Sequence, residues 1–270
     1  MNTRFSALVL AIATIANDPA RGMDLAVEVK FHPGWRHAGE TGEIHMSGIR
    51  MSLDEGWKTY WRVPGEGGIP PHLEIESSRN LKRANVLFPS PKVFEQYGMT
   101  IIGYENEVLF PVEVHPENND APIEFEGNFF AGICKEVCIP VSYDFSVSLT
   151  PPGIVDPAIQ SAMESIPQGW VESGMKTVEC GFEFSEAGLF ATARIPLPNT
   201  LGPDHVIFEY ADEWVRFGSA NVGRPNSNIL EAKSEMFLGS NGNLELDASK
   251  LRITVLNPKE AIEINGCGPS

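Results

Sequence analysis

The run Gly42 to Leu53, GEIHMSGIRMSL, alternates in polarity and breaks at Asp54-Glu55-Gly56 before an aromatic stretch, Trp57 to Arg62. Alternation with period two, ended by turn residues, marks a strand with one buried face, and no other feature restricts the fold as much. The pattern recurs. Asp24 to Phe31 reads as a strand that stops at Pro33-Gly34, and Val108 to Val114, Ile123 to Phe130 and Tyr143 to Leu149 follow. Parallel strands need long, usually helical, crossovers, and no helical period separates these segments. An antiparallel sandwich is expected.

Pro151-Pro152-Gly153 interrupts the series. Asp156-Pro157 then has the form of a helix cap followed by proline at the first helical position, with a short helical run from Ala158 to Ile166 closed by Pro167-Gln168-Gly169. Strand-like segments resume at Lys176 to Phe184, Leu189 to Ile195, His205 to Tyr210, Ile229 to Leu238, Leu251 to Leu256 and Ala261 to Asn265. The expected class is all-β, with one sandwich over residues 23–152, a helical linker over 153–174 and a second small β-domain over 175–270.

Residues 1–22 read as a secretory signal: Arg4 supplies a charge, Phe5 to Ala16 is mostly apolar, and Thr14-Ile15-Ala16 offers small residues for cleavage. The expectation is an exported chain with no membrane span after processing. With 20 basic and 36 acidic residues the net charge is −16, and no basic stripe offsets it, which excludes nucleic acid as a partner class.

Four cysteines, Cys134, Cys138, Cys180 and Cys267, allow two disulfides in three pairings. Position along the chain favours Cys134–Cys138 and Cys180–Cys267. A bridge closing nearly ninety residues constrains the unfolded chain by about 4.5 kcal/mol on the chain-entropy model, and a five-residue ring by about 2 kcal/mol. The long bridge therefore suits a structural staple. The short one suits a switch, although spacing alone fits a fixed hairpin bridge equally well. Lys135 would favour a thiolate and Glu136 oppose it, while Pro140 removes a backbone donor near the sulfur. The six histidines show no zinc spacing, and Met46 and Met51 beside His45 are better read as core than as copper ligands. Gly65-Glu66-Gly67-Gly68 runs into Ile69-Pro70-Pro71 rather than a helix, so it is a turn and not a phosphate cradle. No cofactor or metal is expected.

Gly56-Trp57-Lys58-Thr59-Tyr60-Trp61-Arg62, Pro64-Gly65, Gly68-Ile69-Pro70-Pro71, Tyr97-Gly98, Ile102-Gly103-Tyr104 and Cys134 to Pro140 together form a recognisable series. Over roughly residues 24–150 it resembles the N-terminal periplasmic domain of the thiol:disulfide interchange protein DsbD, in the variety found in ScsB-type proteins. The resemblance implies an immunoglobulin-like redox domain in the periplasm that exchanges electrons with thioredoxin-like or membrane thiol–disulfide proteins. It implies that Cys138 forms mixed disulfides and that Cys134 resolves them. Phe94-Glu95-Gln96-Tyr97-Gly98 falls where the family carries a cap loop, and Tyr60 and Trp61 match the aromatic strand beside the site. The C-x3-C spacing is shorter than in the best-known member. A disulfide reductase or electron relay is the leading expectation; a non-catalytic binding module and a copper-tolerance protein are the alternatives.

Overall fold

The computed structural model describes residues 26–39, 42–173, 177–197, 204–212, 214–239, 245–258 and 260–267. The signal read over 1–22 lies outside them.

The first half contains β1 (Val27–Gly39), β2 (Gly42–Leu53), β3 (Lys58–Gly65), β4 (His72–Ile75), β5 (Leu81–Val86), β6 (Lys92–Gln96), β7 (Met99–Glu105), β8 (Glu107–Pro116), β9 (Ile123–Cys134) and β10 (Cys138–Leu149). They form two antiparallel sheets, β1-β2-β8-β5 and β10-β9-β3-β7-β6, with β4 paired to β9. Alternation decides the core: Ile123, Phe125, Phe129, Ala131 and Ile133 of β9 face inward against Ile49, Met51, Phe110 and Val112 of the opposite sheet. Phe125 lies edge-on to Phe31 and Phe145, at 6.1 and 4.9 Å between centroids.

The first strand does not stop at Pro33-Gly34, as its sequence suggests. It passes through them in a bulge between His32 and Trp35 and continues to Gly39. Gly34 makes this feasible: its φ is +73°, and a β-carbon there would sit 1.8 Å from the Met46 carbonyl oxygen.

Helix α1 (Pro157–Glu164) starts where the cap signature places it, with the Asp156 side chain accepting from the Ala158 amide. It lies on the outer face of β2 and β8, where Ile159 is buried with Met46 and Leu109. Asp156 also bonds His32 Nδ1 at 2.7 Å, tying the linker back to β1.

The second half comprises β11 (Gln168–Gly169), β12 (Glu179–Ser185), β13 (Gly188–Ile195), β14 (His205–Tyr210), β15 (Val215–Phe217), β16 (Asn221–Asn226), β17 (Ile229–Leu238), β18 (Leu251–Leu256) and β19 (Ala261–Asn265). Their sheets, β11-β19-β18-β14 and β12-β13-β17-β15 with β16 beside β17, enclose a core of Ile195, Leu230, Leu251, Ile253, Val255 and Ile264. The architecture is all-β, two sandwiches with one short helix between them. They are not independent beads: Ile207 and Leu256 of the second are buried within the apolar cluster of the first.

Candidate functional site

Cys134 ends β9 and Cys138 begins β10, so the two face each other across the mouth of a hairpin with a three-residue loop. Their α-carbons are 4.1 Å apart and they are joined as a disulfide. The pair is asymmetric. Cys134 is 7% exposed and packs with Tyr60, Ile101 and Phe94, whereas Cys138 and the loop residues Lys135, Glu136 and Val137 are exposed.

Tyr60 supplies the polar contact of this cluster. Its hydroxyl donates to Cys134 Sγ at 2.6 Å and lies 3.3 Å from Cys138 Sγ. Burial pushes the phenol above its usual range, so it stays a protonated donor through neutral pH. The ring is clamped by glycines. A β-carbon on Gly68 would lie 2.2 Å from Tyr60 Cε1, and one on Gly132 would lie 3.3 Å from Cε2 and 2.8 Å from Ile69 Cβ. Thr59, one residue earlier, donates its hydroxyl to the Gly132 carbonyl at 2.9 Å, and Gly132 N–H donates to Ile69 O at 3.0 Å. Both polar groups of Gly132 therefore point away from β10, where its partner is Pro140. The proline costs the ladder no bond there, and it blunts an outer strand.

Phe94 to Gly98 is a strand end and a turn rather than a loop. β6 and β7 pair up to Gln96 opposite Met99, leaving Tyr97-Gly98 as a two-residue turn with φ of 54° and 76°. Both central residues in the left-handed region is the turn that matches strand twist, which is why Gly follows Tyr here. The hairpin reaches the turn between Cys134 and Cys138: Gln96 Nε2 donates to the Lys135 carbonyl at 2.5 Å, and Phe94 packs onto the cluster holding Cys134. Lys58 Nζ sits 5.3 Å over the Phe94 ring. Glu95 accepts from Thr100 Oγ1 at 3.0 Å, while Tyr97, 74% exposed, points outward at the tip.

Trp61 is placed elsewhere. Alternation turns it to the opposite face from Tyr60, and it is fully buried in the main core, away from the sulfur cluster. The ammonium of Lys135 bonds the Glu55 carbonyl at 3.1 Å. Thr59 and Gly68 stand in the recognisable series with no role attached to them, and Ile101 and Gly132 stand outside it. The two glycines carried the available signal, since each stands beside an isoleucine where a ring must fit.

Cys180 and Cys267 are joined as a disulfide with α-carbons 5.7 Å apart, linking β12 of one sheet to the residues after β19 of the other. Met46 and Met51 are both buried in apolar clusters, and His45 gives its Nε2 to the Pro33 carbonyl at 2.8 Å. Among the described residues no three His, Cys, Asp or Glu side chains gather as a metal site, and no helix is long and apolar enough to cross a membrane.

Residues 23–150, a little under half of the chain, match the family described as "Thiol:disulfide interchange protein DsbD, N-terminal". The fold is similar to that in the crystal structure of the N-terminal periplasmic domain of ScsB from Proteus mirabilis, with a TM-score of 0.66 at 20% identity, covering 91% of this chain and 95% of that one. A comparison with curated proteins finds no match.

Proposed function

We propose, from the premise that residues 23–150 are a DsbD N-terminal-type domain, that this chain exchanges thiols and disulfides with protein partners through Cys134 and Cys138 in the periplasm. The observation that carries the reading is the asymmetry of the pair: one cysteine exposed, the other buried under a hydroxyl donor.

The chemistry follows from that asymmetry. A partner thiolate attacks Sγ of Cys138, the exposed cysteine, and the Cys134–Cys138 bond breaks. Its electron pair leaves on Cys134, where the Tyr60 hydroxyl stabilises the thiolate as it forms. A second partner thiolate then attacks the partner's own sulfur in the mixed disulfide and expels Cys138 as thiolate. The chain has gained two electrons and the partner is oxidised. In reverse, Cys138 opens a partner's disulfide and Cys134 resolves it. Phe94 and the Gln96–Lys135 contact hold the β6–β7 hairpin across the approach, so a productive partner must displace or fit around it.

The test is a trap. A Cys134→Ser variant expressed in the host should accumulate a covalent adduct through Cys138 that dithiothreitol releases, while Cys138→Ser should not. The purified chain should also equilibrate with glutathione buffers, whereas a structural bridge would stay oxidised below about −300 mV. Absence of any adduct together with such resistance would reject the proposal.

A further inference from the structure

We propose that Arg62 is a positioning residue for this exchange: through it the second sandwich holds the Tyr60 hydroxyl on the Cys134 sulfur. The inference rests on the reading of Cys134–Cys138 as an exchanging pair and gives the second sandwich a part in it.

Strand β3 is well held only at its start. Lys58, Thr59 and Tyr60 pair with Glu105, Tyr104 and Gly103 of β7, and Lys58 and Thr59 also pair with Cys134 and Ile133 of β9. The ladder then breaks, and pairing resumes only at Gly65 with Ile101. Among the described residues Trp61 to Pro64 have no ladder partner on either side, so the chain leaving Tyr60 is held by the buried Trp61 and by the side chain of Arg62.

Arg62 supplies the polar part of that hold. Its Nε donates to the two carboxylate oxygens of Glu209 at 3.0 and 3.1 Å. Nη2 reaches Glu209 Oε2 at 2.9 Å, Glu263 Oε2 at 2.5 Å and Thr254 Oγ1 at 3.2 Å. The guanidinium also stacks on Trp61, 4.0 Å from the ring centroid. All the polar partners come from β14, β18 and β19 of the second sandwich. The Arg62 side chain is 15% exposed, and Glu209 and Glu263 are 18% and 20% exposed, so the fork is largely withdrawn from water and its geometry is specific. Two carboxylates converge on this one cation. Without it they repel each other, with Arg252 Nη1 still 3.7 Å from Glu209, and among the described residues the unpaired stretch of β3 loses its side-chain ion pairs to the second sandwich.

The experiment measures closure of the pair. Reduced full-length chain is mixed with oxidised glutathione: Cys138 thiolate attacks it, releasing one glutathione thiolate and forming a mixed disulfide. Cys134 thiolate then attacks Cys138 Sγ and expels the second glutathione, and the rate of that release is followed against pH. Arg62→Met should slow closure about three- to tenfold near neutral pH and move its profile to higher pH, the loss expected for one displaced hydrogen bond. Arg62→Lys, which keeps the charge but not the fork, should fall between. In a Tyr60→Phe background Arg62→Met should have no further effect. Arg194→Met, which removes an exposed ion pair with Glu231 in the second sandwich away from β3, should leave closure unchanged. Equal slowing by Arg62→Met with and without the tyrosine hydroxyl, or no slowing, overturns the positioning role while leaving the exchange reading intact. Failure of the wild-type chain to form or close the mixed disulfide removes both. Should Arg62→Met not fold, Glu263→Gln, which retains the Glu209 fork, carries the same cycle with a smaller expected slowing.

Discussion

Replacing Tyr60 by phenylalanine removes one oxygen from a cluster that is otherwise apolar around Cys134, and its effect can be worked out in sign and size. In the oxidised state the hydroxyl, 2.6 Å from Cys134 Sγ, donates to a neutral disulfide sulfur. In the reduced state the same donor faces a thiolate. Hydrogen bonds to ionised acceptors contribute about 1.5–3 kcal/mol and those to neutral ones about 0.5–1.5 kcal/mol, so Tyr60 favours the reduced form by roughly 1–1.5 kcal/mol. For a two-electron couple that is about 20–30 mV. Tyr60→Phe should therefore make the pair harder to reduce, lowering its potential by that amount. Because burial raises the Tyr60 pKa, the donor persists in the wild type through neutral and mildly alkaline pH. The difference should shrink as pH falls and Cys134 takes up a proton. Glutathione titrations of both proteins at several pH values, read by thiol alkylation and mass, give the two potentials. A shift below about 5 mV, or one toward easier reduction, would refute the idea that this hydroxyl serves the thiolate.

Gly68→Ala should destabilise the chain by about 2–4 kcal/mol in urea, because φ of +133° disfavours a side chain and the new methyl meets the Tyr60 ring. Cys180→Ser with Cys267→Ser should cost about 4 kcal/mol of stability without moving the glutathione equilibrium of the short pair, its loop spanning 87 residues. Ile159→Ala should cost about 2–4 kcal/mol, read by thermal unfolding, since the side chain is fully buried between helix and sheet. Burial of Asp156 works to raise its pKa, but hydrogen bonds from His32 and the Ala158 amide overcome this and hold it below the usual aspartate value. Its stabilisation is thus present above that value and lost as pH falls through the depressed folded pKa. Asp156→Ala should cost about 1 kcal/mol at neutral pH and nothing in strong acid, by urea unfolding across pH.

Alternation made most of the first sandwich legible, because burial of one face imprints period two directly on segments such as β2 and β9. The helix was legible from its cap, a local interaction between Asp156 and the amide two residues on. What escaped the sequence is non-local or depends on φ. The bulge at Pro33-Gly34 keeps β1 running where two turn-forming residues argue for an end. The segment expected as a cap loop is a hairpin because Tyr97 takes a left-handed conformation that its side chain gives no reason to expect. Tyr60 and Trp61 stand together in the sequence as aromatics beside the site, yet neighbours on a strand face opposite ways, and only the pairing register shows which one meets the sulfur. Arg62 finds its partners 147 and 201 residues further along the chain, a distance over which no sequence pattern speaks.

The shared apolar cluster and the buried fork bear on how this molecule comes apart. Cutting the chain at the helix would leave the C-terminal fragment with two acidic groups facing each other and bare isoleucine and leucine beside them. The N-terminal fragment would keep a cation with nothing to hold. Fragments made separately should stick to each other or to themselves, and the intact chain should melt as one cooperative body rather than in two steps.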